Sequence, residues 1–167
     1  MEHSPADFST FVAARWTSFV ALAASITRDR AAAEDIAQEA LIKVSSRWQR
    51  IGEGNHGAYC RRIIYRDSVS YVRKARSRSS RMVHHSDGAL PDNESQIVAH
   101  LDAMRLLVLL PPQQRAVLCL RYLEDLSEKE TAAVMGVSIG TVKRHAHTAL
   151  ARLRTHLTRP DHDRRVP

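Results

Sequence analysis

The sequence predicts an all-α protein: two small helical domains joined by a flexible linker. Three observations carry this. Apolar residues recur at three- and four-residue spacing through most of the chain, and no segment shows the period-two alternation of a strand. The C-terminal third reads as a helix-turn-helix, with its caps and its turn legible. Between the two periodic blocks, Ser77–Asn93 (SRSSRMVHHSDGALPDN) lacks periodicity and is rich in Ser, Asp, Asn and charge, the composition of a linker. The expected division is residues 1–76, a linker at 77–93, a second domain at 94–157 and a frayed polar tail at 158–167.

The N-terminal domain begins at Ser4-Pro5-Ala6-Asp7, a capped start with Pro at the first helical position. Phe8, Phe11, Val12, Phe19, Leu22 and Ile26 then keep helical spacing to about Thr27. A second helix is expected from about Arg30 to Trp48, capped by Asp29 or Thr27, with Ala33, Ile36, Ala37, Ala40, Leu41, Val44 and Trp48 as its apolar stripe. Gly52, Gly54 and Gly57 make Gln49–Gly57 a loop. A third helix follows from about Ala58 to Arg76. Asn93, with Gln96 three residues on, opens a fourth to about Leu109, and Pro111-Pro112 start a fifth to about Glu124.

The helix-turn-helix follows. Ser127 with Glu130 forms a capping box. The helix Glu128–Met135 must stop at Gly136, which takes the left-handed conformation a tight turn needs. Ser138 caps a second helix. There Val142, Ala146, Ala149, Leu153 and Leu157 share the buried face. The other face carries Thr141, Lys143, Arg144 and His147, and no acid occurs from Ser138 to Arg159. A helix entering the major groove needs donors of this kind on its outer face, beginning near its N-terminus.

Composition narrows the class. The 167 residues include 25 basic and 18 acidic side chains, and the pI is near 10.0, which suits a polyanionic partner, nucleic acid or an anionic membrane surface. No apolar run is expected to approach the roughly 20 residues that span a bilayer. The start MEHSPADF has no basic segment leading into an apolar one, so secretion is not expected. Cys60 and Cys119 are too few and too far apart for a disulfide framework or a zinc knuckle, and the cytoplasm is the default compartment. No cofactor or metal is called for.

Two helical faces leave alternatives open. Between Arg61 and Arg81 lie eight basic residues and one acid, Asp67. Arg62, Arg66 and Arg73 fall on one stripe, with Tyr59 and Tyr65 among them. Rings interleaved with guanidinium groups suit single-stranded nucleic acid; a solvated face over core tyrosines fits as well. On the second helix, Asp35, Gln38, Glu39 and Ile42 form a strip beside the core face. Alone it reads as ordinary charged surface; an acidic strip on a basic protein also suits a basic protein partner.

Three motifs give the chain a resemblance to the extracytoplasmic-function sigma factors, the small bacterial promoter-specificity subunits of RNA polymerase, and within them to a short actinobacterial subfamily. AAAEDIAQEALIKVSSRW (Ala31–Trp48) looks like region 2.2 of that family. AYCRRIIYRDSVSYVRKARSR (Ala58–Arg78) looks like regions 2.3 and 2.4, and LPPQQRAVLCLRYLEDLSEKETAAVMGVSIGTVKRHAHTALARLR (Leu110–Arg154) looks like region 4. The resemblance implies no catalytic residue. It implies that Asp35, Gln38, Glu39 and Ile42 dock on the β′ clamp helices of the core polymerase, with region 4 on the β flap. It implies that the loop with Asn55 grips a base flipped from the −10 non-template strand, that Tyr59, Arg62, Tyr65, Arg66 and Arg73 support the opened strand, and that Ser138, Gly140, Thr141, Lys143, Arg144 and His147 read the −35 duplex. An anti-sigma factor is a further implied partner. The family commonly has Trp at Tyr59, Asn at Arg66 and Asp at Ser70, departures that bear on −10 base preference and not on the fold.

A flexible linker would let the two blocks pack together when unbound, so the free or inhibited protein is expected to be more compact than the promoter-bound one. Small-angle scattering showing one extended shape in both states would count against this. Two rival functions make different demands. A stand-alone helix-turn-helix regulator would bind an operator without polymerase, and would leave the acidic strip and the Arg–Tyr helix without a shared role. A metalloenzyme would need His84, His85, Asp87, His145 and His147 as ligands; His145 and His147 diverge by about 200° on a helix and cannot chelate one ion.

Overall fold

The computed structural model describes residues 5–79 and 106–157, and every regular element among them is helical. Helix α1 (Pro5–Thr27) and helix α2 (Arg30–Ser45) meet at a sharp corner. Arg28 takes a positive φ of 61° there, and Asp29 caps α2 by accepting the Ala32 amide at 3.1 Å. The other oxygen of Asp29 accepts the Tyr71 hydroxyl at 2.7 Å, so the cap also ties the corner to helix α3 (His56–Ser79). Helix α2 stops at Ser45, three residues short of the expected Trp48, which instead opens a 3-10 turn, Trp48–Arg50. The reason lies in packing: Trp48 turns into an aromatic cluster with Phe8, Phe11 and a stacked His56, ring centroids 3.7–5.2 Å from its own. The same stacking draws His56 into helix, so α3 begins two residues earlier than expected and runs to Ser79, past the expected start of the linker at Ser77.

Helices α1, α2 and α3 enclose a core of Phe19, Leu22, Ile26, Ala37, Val44 and Ile64, all essentially without solvent contact. This core modifies one expectation. The span Asp7–Thr27 is long and apolar enough by length and composition to cross a membrane, although no such run was expected. Its inner face, however, is sealed against α2 and α3 and includes buried polar Ser25 and Thr27, as in the core helix of a bundle.

The second lobe contains helix α4 (Pro112–Leu118), a π-helical turn (Cys119–Leu123), helix α5 (Glu128–Met135) and helix α6 (Ile139–Leu157). The expected fifth helix therefore exists, but its last five residues widen into the π turn. The capping box is complete: Glu130 N–H donates to Ser127 Oγ, and Ser127 N–H donates to Glu130 Oε2. Gly136 closes α5 at φ 67°. Ser138 caps α6 through the Thr141 amide. Val142 and Ala149 are fully buried on the inner face of α6, with Ala146 and Leu153 beside them. Most of the fourth expected helix, up to residue 105, most of the linker with His84, His85 and Asp87, and the tail lie outside the described residues; the last residues of that helix, 106–109, end in a turn closed by the Leu109 amide on the Leu106 carbonyl.

The lobes pack against each other. Arg115 on α4, buried, donates from Nη2 to the Ile26 carbonyl of α1 at 2.6 Å and from Nη1 to the Leu110 carbonyl at 2.7 Å. Burial, with Arg28 and Arg76 nearby, pulls its pKa down to about 10. Arg61 on α3 pairs with Glu124 after the π turn at 2.7 Å.

Candidate nucleic-acid and polymerase interfaces

Three surfaces carry the expected functional residues. On α6, Lys143, Arg144 and His147 are exposed and Thr141 is half-buried. They stand opposite the stripe of Val142 and Ala149, so the caps and turn that fix the backbone also aim the cations outward. Lys143 reaches back to Glu128 at 3.5 Å, an exposed pair that a phosphate can displace at little cost. Ser138 and Gly140 are exposed at the start of the helix. Ser138 Oγ lies 2.9 Å from Thr141 Oγ1.

On α2, Asp35, Gln38, Glu39 and Ile42 are all exposed, Ile42 at 60%. One exposed apolar side chain is ordinary on a solvated face; what marks Ile42 is the apolar surface next to it. Beside it runs a shallow groove of about 690 Å³ in which Phe8, Val12 and Trp16 of α1 face Gln38 and Ile42. The sequence pattern missed this extension. Trp16, four residues after Val12 and three before Phe19, continues the helical spacing of α1 at the edge of its apolar stripe, and that spacing was the available signal.

On α3 and the preceding loop, Asn55, Arg62, Arg66 and Arg73 are exposed. Tyr59 is half-buried, its hydroxyl 2.5 Å from Arg47 Nη1, a partner not foreseen from the sequence. Tyr65 departs from the strand-supporting role the resemblance implied and follows the core-tyrosine alternative. It is a core residue, 8% exposed, and burial raises its pKa. In this packing its ring supports α3 from inside and offers no face to a base. Arg66 Nε donates to Asp67 at 2.9 Å, and Lys43 of α2 donates to the other oxygen of the same carboxylate at 2.9 Å. Burial works against the Asp67 charge, but these two donors outweigh it and hold the carboxyl below its ordinary pKa. Asp67 thus joins the helix bearing the acidic strip to the helix bearing the arginines. Lys43 also lies 3.8 Å from Glu39.

A cleft of about 720 Å³ separates this third surface from the other lobe: Arg47, Arg50, Asn55, Tyr59 and Arg62 on one wall, Leu126, Glu130 and Val134 on the other. Its residues are basic on the first wall and apolar to acidic on the second. No group of three or more His, Cys, Asp or Glu suited to a metal ion occurs among the described residues.

Known proteins match both lobes of the chain. The chain fits the family profiles Sigma-70 region 2 over residues 14–78 and Sigma-70, region 4 over residues 100–153. It is 33% identical over 161 residues to the RNA polymerase sigma-E factor of Streptomyces avermitilis, a match covering 96% of this chain and 90% of that protein. It is 30% identical over 136 residues to the ECF RNA polymerase sigma factor SigE of Mycolicibacterium smegmatis, covering 76% of this chain and 52% of that one. In three dimensions it resembles the sigma factor RpoE solved in complex with the anti-sigma factor NepR from Bartonella quintana, with a TM-score of 0.79 at 24% identity over 92% of this chain and 98% of that one. Both expected domains are thus matched in their expected order, and the chain belongs to the sigma-70 family of RNA polymerase sigma factors, within its extracytoplasmic-function group.

Proposed function

We propose that this chain directs transcription initiation by docking on bacterial core RNA polymerase through α2 and reading promoter DNA with both lobes. In this reading Asp35, Gln38, Glu39 and Ile42 meet a basic surface on the β′ clamp helices, with Trp16 extending the contact, while the second lobe sits on the β flap. Thr141, Lys143, Arg144 and His147 enter the −35 major groove, with Ser138 and Gly140 near a phosphate. Asn55 and Tyr59 receive the opened −10 strand, and Arg62, Arg66 and Arg73 follow its phosphates. The chain supplies recognition and no catalytic group, and works in the cytoplasm. An anti-sigma factor is the expected inhibitor. The observation that carries the reading is the separation of an exposed acidic-apolar strip and an exposed basic recognition face onto different helices of a two-lobed family member.

Run-off transcription with core polymerase on a random promoter library tests it, because a sigma factor selects two spaced elements and a stand-alone regulator selects none. Arg144→Ala should cost about 1–3 kcal/mol of −35 discrimination with core binding intact. Asp35→Ala with Gln38→Ala should lose core binding while the chain still binds duplex. Identical loss of core binding in both variants would refute this division of labour.

A further inference from the structure

Arg61 and Glu124 form a buried ion pair across the two lobes. Arg61 Nε donates to Glu124 Oε2 at 2.7 Å, and the side chains are only 9% and 6% exposed. Arg61 lies on the inner face of α3 with Ile64, Tyr65 and Ser68, all buried. Its guanidinium runs over Gly57, where even a methyl group would come within 3.2 Å of it. Arg61 also lines the interlobe cleft, where Leu126, Glu130 and Val134 face Asn55, Tyr59 and Arg62. The first helix of the helix-turn-helix therefore covers the face that, on the function proposed above, receives the opened strand.

This packed arrangement cannot serve both promoter elements. A compact chain of this length has a radius of gyration of about 15 Å and is about 40 Å across. Elements centred near −35 and −10 lie roughly 25 base pairs apart, about 85 Å at 3.4 Å per step. The lobes must separate, and separation breaks the pair.

We propose that Arg61 and Glu124 are the latch of a self-closed state in which α5 occupies the strand-reading face, and that polymerase engages the chain only after this latch opens. The inference rests on the sigma-factor reading for its consequence, but not for the latch. An intact buried pair is close to neutral, whereas removing one partner leaves an uncompensated charge that only solvent can satisfy. Either single change therefore favours the open state, and reversing both charges restores the closed one.

The test uses the full chain with Ala14→Cys and Ala151→Cys, both exposed, labelled for energy transfer between the lobes. Cys60 and Cys119 are buried, with pKa values raised by burial to about 12 and about 11, and should resist labelling. Arg61→Glu and Glu124→Arg should each lower transfer at unchanged helical circular dichroism, and the double reversal should restore it. If a reversal unfolds its lobe, Glu124→Gln is read instead, with the same expected loss of transfer. Each open variant should associate with core polymerase about tenfold faster than the unsubstituted chain, since binding is slowed by the fraction held closed. Unchanged transfer in folded single variants, or a double variant that stays open, overturns the latch. Lower transfer with an unchanged association rate overturns its role in gating polymerase. Opening as expected with no polymerase binding by any form, the unsubstituted chain included, leaves the latch standing and overturns the sigma-factor reading.

Discussion

At the scale of single residues, two positions hold the lobes in shape by opposite means. Gly136 sits at φ 67° with nothing within 4 Å of where a Cβ would be, so the cost of replacing it is conformational and not steric. Gly136→Val should destabilise the second lobe by about 1–2 kcal/mol, and Gly136→Asn by less, since Asn tolerates the left-handed region; denaturant unfolding checks the order. Asp29 acts through charge. The Tyr71 hydroxyl first, and the Ala32 amide second, hold its pKa below the ordinary value. A carboxyl whose folded pKa is depressed stabilises above its unfolded value near 3.9 and loses that contribution as pH falls through the folded one. The bond to Asp29 in turn raises the Tyr71 pKa, so its share persists up to about pH 10 and is lost above. The melting temperature of Asp29→Asn should fall below that of the unsubstituted chain at pH 7, and the gap should close below about pH 4. A gap that is independent of pH would show that the cap acts through geometry alone.

At the scale of elements, what was legible in the sequence was local. The Ser127–Glu130 box, the Gly136 stop, the Asp29 cap and the inner stripe of α6 each depend on residues within a few positions of one another, and such patterns survive folding unchanged. The early end of α2 was not legible, because it depends on Trp48 meeting Phe8 and His56 from other elements. Neither was the π turn after Leu118, and the core position of Tyr65 was one of two readings the spacing left open. Helical spacing places Tyr65 among arginines without saying which way that face turns. Helix α6 supports a separate prediction. Among the described residues, Lys143 pairs with Glu128 in an exposed contact and does not lie over a buried face, so it fits a phosphate contact. Lys143→Ala should weaken binding to any duplex by a similar factor and reduce the slope of log affinity against log salt by about 0.9. A selective loss at one base position would instead make it a base-reading residue.

At the scale of the whole molecule, the sequence allowed the two lobes to pack together but did not name the residues that join them. Arg61 carried a signal, a charge on the face shared by Ile64 and Ser68, which demands a buried partner. That partner, Glu124, is 63 positions away, and nothing in the spacing of either residue points to the other. The contact makes the two proposed nucleic-acid surfaces unequal in the free chain. The outer face of α6 remains open to solvent, while α5 stands over Asn55, Tyr59 and Arg62. With a net charge of +7, long-range attraction alone would draw the protein to duplex and single strand alike, so the difference must come from access. The free chain should therefore bind a duplex about tenfold or more tightly than a single strand of equal length at 0.1 M salt, where the screening length is about 10 Å and contact outweighs steering. The duplex slope should reflect the two or three cations of α6, about −2 to −3. Fluorescence anisotropy on both probes decides this. Equal affinity would mean that the cleft is open in solution. A single-strand affinity that rises in Glu124→Arg while duplex binding changes little would trace the asymmetry to the buried pair and not to the recognition helix.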